Sequence, residues 1–319
     1  MSDNHLKFLF VSIMVVLALI GRNDRSTSPV LAEQPSIVRL SSKPINSNIS
    51  FDNKINRSAA VSLQVEDFLP VRKNNLPEPF LNVESAVAKD LDSDFDFYRL
   101  NSDINWPIAS LTKLMSSVVA VEKVGLEKKV VISDIAIATE GVAGDFSQDE
   151  VYRVGELLKA MLVASSNDAA VAVADFYGSD NFIKQMREKA LELEMNQTSF
   201  MDPTGLSAIN QSTVEDLEKL VSHIYKNHLS ILKISDQPEV TLFEESQGSE
   251  RKLLNINNFV HSRPEFIGGK TGYTDQAKGN LISIFSYKGH NILVIVLGTD
   301  DRFGQTDILY NWVKEAYSF

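Results

Sequence analysis

Ser110 and Lys113 stand three residues apart in the stretch "WPIASLTKLMSSVVAVEKVG". On a helix, side chains at that spacing lie one above the other, with Cβ atoms about 5 to 6 Å apart. A lysine so placed can take the serine proton and create an acyl-transfer nucleophile, provided that it is neutral near pH 7. Neutrality requires burial or a neighbouring cation. The spacing alone is a weak signal, because on the order of one Ser-x-x-Lys is expected by chance in a chain of this length. Ser230 and Lys233 in "SILK" provide such a match. In isolation, Ser110 and Lys113 read as a helix cap and a solvated lysine, and Ser230 reads as surface.

Two other stretches supply the remaining groups that acyl transfer needs. "AMLVASSNDAAVAVA" sets Ser165 and Asn167 between apolar helical runs, where unneeded polar groups are costly. "FIGGKTGYTDQ" sets Lys270, Thr271 and Gly272 on an expected strand, where Gly272 leaves room for a substrate backbone to lie alongside as an added β-ligand. Several imitations can be set aside. The "SDN" at 179–181 follows Gly178 and reads as a helix stop with a fresh N-cap at Ser179. The "GKT" at 269–271 resembles the end of a phosphate-binding loop, but Pro264 occupies the place of its first glycine. His223 and His228 are five apart, which is not helix spacing for a metal pair, so no metal or cofactor is expected. No Gly-x-Ser-x-Gly elbow supports a Ser-His-Asp hydrolase.

The elements that must carry these residues follow from the hydrophobic period. "FLNVESAVAKDLDSDFDFYRLN" reads as a β-hairpin, and Pro107 suits the first turn of a helix in which Leu111, Leu114, Met115 and Val118 recur at helical spacing until Gly125. Four helical segments follow: "VGELLKAMLVA", "NDAAVAVADFY", "NFIKQMREKALELE" and "STVEDLEKLVSHIYKNH". Ser212 and Glu215 have capping-box spacing at the start of the last, and Leu217, Leu220, Val221 and Ile224 form its apolar face. The period then shortens to that of strands in "GGKTGYT", "NLISIFSY" and "NILVIVLG", before "DILYNWVKEAY" closes the chain as a helix. The expected fold class is α+β: an antiparallel β-sheet flanked by helices, with an all-helical insert between its strands.

The 319 residues leave room for a sizeable core, and 44% hydrophobic with 23% charged residues are ordinary globular values. A net charge of -11 argues against nucleic acid as a partner. The absence of cysteine excludes disulfides, thiolate metal sites and thiol nucleophiles. Residues 1–32 carry about fourteen apolar positions from Phe8 to Gly21 behind a basic residue, nearer a signal-peptide core than the roughly 20 of a membrane span. Cleavage near Ala32 and retention as an N-terminal anchor are both open, and either places the rest of the chain outside the cytoplasm. Residues 33–78, rich in Ser, Asn and Pro, read as a flexible linker, leaving 79–319 as the catalytic domain.

In order, "SLTK", "SSN" and "KTG" resemble the motif set of the serine penicillin-recognising enzymes. The segments "PIASLTKLM", "ELLKAMLVASSNDAAVAVA", "TSFMDPTGL", "GGKTGYT" and "VIVLGTDDRF" resemble the low-molecular-weight D-alanyl-D-alanine carboxypeptidases, from about residue 80 onward. Two departures are visible. Ser166 stands where that family more often has glycine, and the C-terminal domain and tail anchor of many members find no match, which makes the N-terminal segment the expected tether to the cytoplasmic membrane.

The resemblance implies a β-lactamase/transpeptidase-like fold and removal of the terminal D-alanine from a peptidoglycan stem peptide ending in D-Ala-D-Ala, with β-lactams as covalent inhibitors. It implies Ser110 as nucleophile, Lys113 as base and Ser165 as proton relay to the leaving amine. Asn167 would hold the substrate amide, Lys270 would keep the site positive and help to lower the Lys113 pKa, and Thr271, joined by Arg302, would bind the terminal carboxylate. The backbone N–H groups of Ser110 and Tyr273 would form the oxyanion hole.

A DD-endopeptidase differs only in its substrate groove. A class A-like β-lactamase would need a water-activating glutamate, and Glu192 and Glu194 read as solvated helix positions. A non-catalytic wall-binding or β-lactam-sensing protein is opposed by the intact set of polar residues.

Overall fold

Five strands form the platform of the site: β1 (Ser85–Asp90), β2 (Asp96–Leu100), β3 (Phe266–Thr274), β4 (Lys278–Tyr287) and β5 (His290–Thr299). In the computed structural model, which describes residues 69–73, 76–141 and 143–319, they lie in the order β3-β4-β5-β1-β2 with every neighbouring pair antiparallel. The expected hairpin is β1 and β2, and the three late apolar runs are β3 to β5. β3 is therefore an edge strand of this sheet.

Helices α1 (Thr112–Val119), α2 (Val154–Val163), α3 (Asn167–Tyr177), α4 (Ser179–Glu192), α5 (Val214–Asn227) and α6 (Leu229–Ser235) lie between β2 and β3 in the chain, and α7 (Arg302–Ala316) follows β5. Both faces of the sheet are covered, and the alternation along β5 shows how. Ile292, Val294 and Val296 join Leu309, Tyr310 and Val313 of α7 in one core. Leu293, Ile295 and Leu297 join Leu111, Leu114, Leu217 and Ile224 in the other. Each such side chain contributes about 1.5 to 3 kcal/mol on burial, so an uninterrupted apolar run is what a strand with two cores requires. On the α7 side Phe285 stacks on Tyr310 with ring centroids 4.1 Å apart.

Local starts and stops differ from expectation in four places. Pro107 is not in a helical turn: Trp106–Pro107 pairs with Gln211–Ser212, and the helix begins after it with a 3-10 turn at Ala109–Leu111 that runs into α1. The same pairing takes Ser212 out of its capping role, and Thr213 instead accepts from the Asp216 amide at the start of α5. Ser179 makes no side-chain cap, because Gly178, at a φ of 91°, both ends α3 and caps α4 with no spacer between them. Finally, Val71–Arg72 pairs with Tyr317–Ser318 and the Lys73 amide donates to the Ala316 carbonyl, so the folded unit begins ahead of residue 79.

The expected export segment 1–32 and most of the expected linker lie outside the described residues. Among the described residues no helix is long and apolar enough to cross a membrane. Ser230 and Lys233, the chance match, are both exposed on α6.

Candidate active site

The turn that presents Ser110 is strained. Ala109 has a φ of 48°, a left-handed conformation that costs a residue with a Cβ about 1 to 2 kcal/mol. It delivers Ser110, half-buried, to the start of α1, all of whose residues are buried. Lys113, one turn on, is completely buried. Its Nζ lies 3.0 Å from Ser110 Oγ, 2.6 Å from Asn167 Oδ1 and 2.9 Å from the Thr204 carbonyl oxygen. Burial brings the Lys113 pKa down to about 7, against the opposing pull of the Asp202 carboxylate. As an ammonium the group donates to all three neighbours. As a neutral amine it has two hydrogens, which suit the two carbonyl oxygens, and a lone pair left for the Ser110 proton.

The second wall is the turn between α2 and α3. Ser165 is held there at a φ of 59°. Ser166 is the α3 N-cap, its hydroxyl accepting from the Ala169 amide at 3.1 Å, which gives this residue a structural task. Asn167 accepts from Lys113 and donates through Nδ2 to the Glu140 carbonyl at 2.7 Å, so both ends of its amide are fixed.

The third wall is the edge strand β3, in register with β4 through Lys270↔Ile282, Thr271↔Leu281, Gly272↔Asn280 and Tyr273↔Gly279. Lys270 is buried, and its Nζ donates to Ser165 Oγ and to the Thr271 carbonyl, each at 2.9 Å. Its pKa lies well below the usual lysine value, through burial first and then the charges of Lys113 and Arg302. Thr271 is buried beside it, and Tyr273 is exposed.

The fold itself also calls for glycine at 272. A Cβ there would come within 2.9 Å of the Ile108 carbonyl oxygen and 3.2 Å of the Ser110 amide nitrogen. The missing side chain makes room for the turn that carries Ser110, and it brings the strand against the Ser110 amide. Arg302, the first residue of α7, donates through Nη1 to the Gly272 carbonyl at 2.9 Å, and burial lowers its pKa. Beyond this end of β3 a cleft of about 430 Å³ is lined by Tyr273, Gly279, Asp300, Asp301, Arg302 and Phe303.

Thus the structure gathers Ser110, Lys113, Ser165, Asn167, Lys270, Thr271, Gly272, Tyr273 and Arg302 from four separate segments. Burial is the first cause depressing both lysines, and the charges of Lys113 and Arg302 add to it at Lys270.

Residue-by-residue reading did not single out Asp202. Its Oδ1 accepts from the Thr204 amide, the Thr204 hydroxyl and the Gly205 amide, and its Oδ2 from the Ser207 amide. That web shapes the turn that aims the Thr204 carbonyl at Lys113. At Gly205 (φ 88°), a Cβ would lie 1.8 Å from the Ala109 carbonyl oxygen, so the turn is packed directly on the segment that carries Ser110. The Asp-Pro-Thr-Gly composition signals a turn, but nothing in it says that the turn faces Lys113. Glu192 and Glu194 are exposed, the former paired with Lys189. Among the described residues no carboxylate hydrogen-bonds Ser110 or Lys113.

Residues 73–301 match the family model described as D-alanyl-D-alanine carboxypeptidase. The D-alanyl-D-alanine carboxypeptidase DacF of Bacillus subtilis is 32% identical over 223 residues, which are 67% of this chain and 57% of that relative. A D-alanyl-D-alanine endopeptidase of Pseudomonas aeruginosa is 32% identical over 260 residues, 77% of this chain and 82% of that relative. Among solved structures, penicillin-binding protein D2 of Listeria monocytogenes in its ampicillin-bound form superposes with a TM-score of 0.65 at 30% identity, covering 74% of this chain and 98% of that one. The expected α+β class with its transpeptidase-like architecture is thereby borne out.

Proposed function

The chain belongs to the D-alanyl-D-alanine carboxypeptidase family, and from that premise we propose that it hydrolyses the terminal peptide bond of peptidoglycan stem peptides ending in D-Ala-D-Ala. Neutral Lys113 takes the Ser110 proton as Oγ attacks the carbonyl carbon of the penultimate D-alanine. The C–N bond breaks, the departing D-alanine amine takes up a proton by way of Ser165, and an ester on Ser110 remains for water to hydrolyse. Thr271, Lys270 and Arg302 receive the terminal carboxylate, Asn167 the substrate amide, and the Ser110 and Tyr273 amides the oxyanion. The observation that carries this reading is the fully buried Lys113 with its pKa near 7, 3.0 Å from Ser110 Oγ. A β-lactam presents an acyl group to the same serine, which makes it a covalent inhibitor.

Endopeptidase action is the second reading. It is supported by the endopeptidase of Pseudomonas aeruginosa among the relatives, at the same 32% identity as the Bacillus carboxypeptidase. Peptidoglycan as substrate places the enzyme outside the cytoplasm, with residues 1–32 as the proposed export signal or tether.

The deciding experiment labels the protein with a fluorescent penicillin and then measures D-alanine release from a Lys-D-Ala-D-Ala peptide, with cross-linked muropeptides in parallel and Ser110→Ala as control. Labelling with D-alanine release supports the carboxypeptidase. Cleavage of the cross-link without D-alanine release moves the assignment to the endopeptidase. Rapid loss of label with penicillin hydrolysis, or labelling of Ser110→Ala, overturns the proposal.

A further inference from the structure

We propose that Glu122, His223 and His228 form a binding site for one divalent transition-metal cation of the Zn2+ class, remote from Ser110. The sequence conceals this site because His223 and His228 share no helix face. The chain brings them together by ending α5 at Asn227: His228 leaves helical geometry at φ -135° and ψ 48°, and α6 begins at the next residue. The two rings then sit at 5.1 Å between centroids. Glu122 arrives from the π-helical stretch Ala120–Val124 that prolongs α1, an irregularity that often marks a site.

Glu122 Oε1 lies 3.0 Å from His223 Nε2 and 2.8 Å from His228 Nε2, and the three ligand atoms all fall within 4.8 Å of one another. Two imidazoles and one carboxylate are the protein ligands of an open tetrahedral zinc site, with water in the fourth place. At Zn–N and Zn–O distances near 2.1 Å, tetrahedral ligands stand about 3.4 Å apart, so Oε1 needs to draw back from each ring nitrogen by about half an ångström to admit the ion.

The surroundings suit a cation. Glu122 is half-buried with both oxygens engaged, Oε1 facing the two rings and Oε2 the Lys189 ammonium. Lys189 stays on the other oxygen, Oε2, at 2.6 Å and is shared with Glu192. The charged pair therefore orients the carboxylate from behind without occupying Oε1, the kind of outer support that zinc ligands commonly have. The Asn227 amide nitrogen lies 3.2 Å from His223 Nδ1; on metal binding through Nε2 the Nδ1 atom carries the proton, and the Asn227 amide must turn its oxygen toward it to accept. All three ligands keep about 16 to 17% of their side-chain surface exposed, which leaves a way in for the ion.

Nine residues separate Lys113 from Glu122, about 13 Å along a helix, so the ion would touch no reacting group. Its role is to tie the far end of the nucleophile helix to the α5–α6 junction.

The test uses the full chain, stripped with chelator and titrated with Zn2+ by calorimetry, with bound metal counted after desalting. One ion per chain with a Kd in the micromolar range or below is expected. At a hundredfold excess over Kd, Tm should rise by about 5 to 10 °C. His223→Gln and His228→Gln should each weaken binding by tenfold or more while keeping penicillin labelling at the wild-type rate, which reports that they are folded. As a measurement independent of the variants, Co2+ added to the wild-type protein should give the intense visible bands of a tetrahedral site, removed by one equivalent of Zn2+. No saturable Zn2+ binding below about 1 mM, undiminished binding in the doubly substituted protein, or only the weak spectrum of octahedral Co2+ would each overturn the proposal.

Discussion

Lys270 Nζ lies 2.9 Å from Ser165 Oγ, a contact that joins the edge strand to the strained turn between α2 and α3. Together with the 3.0 Å contact between Lys113 and Ser110, it makes two lysine–serine pairs in one buried space. Burial disfavours two ammonium groups there, the Asp202 carboxylate offsets this only in part at Lys113, and both lysines are depressed. A substrate carboxylate arriving beside Thr271 and Lys270 would restore the charge of Lys270 and leave Lys113 as the neutral partner.

The pH dependence follows from this coupling. Second-order acylation by a penicillin reports the free enzyme, and it should rise with pH through a midpoint near 7 as Lys113 loses its proton. Under saturating penicillin the carboxylate is already bound and Lys270 is charged, so the midpoint of the acylation step should move to lower pH. Stopped-flow acylation across pH 5 to 9 checks both. An identical midpoint in the two regimes would mean that the lysines are uncoupled.

Replacing Lys113 by methionine keeps the volume and removes the proposed base. Acylation should fall by about 10² to 10⁴-fold, the usual contribution of general base catalysis. Stability should respond in a characteristic way. Between about 7 and the ordinary value of 10.5 the native state binds fewer protons than the unfolded chain, so wild-type stability rises with pH across that window. The Tm of Lys113→Met relative to wild type should therefore be higher at pH 6 than at pH 9, which scanning calorimetry at the two pH values measures.

Asp202→Asn retains an oxygen for the Thr204 and Gly205 amides but presents an NH2 group to the Ser207 amide. The lost charged acceptor should cost about 1 to 3 kcal/mol in denaturant unfolding. Removing the carboxylate also removes the charge that raises the Lys113 pKa, so the acylation midpoint should shift toward acid. A midpoint moved toward alkali would contradict the assigned electrostatics.

The two glycines packed on the nucleophile segment should fail differently. At Gly205→Ala the new methyl meets backbone at 1.8 Å in a left-handed conformation. Overpacking and backbone strain together should cost about 2 to 5 kcal/mol. Gly272→Ala meets looser contacts of 2.9 and 3.2 Å and should lose less stability. It presses on the Ser110 amide, however, and a displacement of that kind can cost about 10²-fold in rate. Comparing Tm with penicillin labelling rate in the two variants separates the effects.

Much of this was readable in advance, for identifiable reasons. β5 announced itself because Ile292 to Leu297 must fill two cores, and α5 because Leu217, Leu220, Val221 and Ile224 share one face. Ser110, Lys113, Ser165, Asn167 and Lys270 were found because their spacings are set by local geometry and their order is shared with a known motif set. What escaped depends on contacts across the chain. The pairing of Pro107 with Gln211 moved a helix start and a cap, the Asp202 turn meets Lys113 only in three dimensions, and His228 reaches Glu122 only because α5 stops one residue earlier.

Ala109 and Ser165, one beside the nucleophile and the other bonded to Lys270, are both held at left-handed angles that glycine would adopt freely. A selection run on thermal tolerance alone would relieve that strain at both positions, and in doing so would loosen the two turns on which the alignment of Ser110 and Ser165 depends. For this enzyme, hardiness and competence pull on the same two residues in opposite directions.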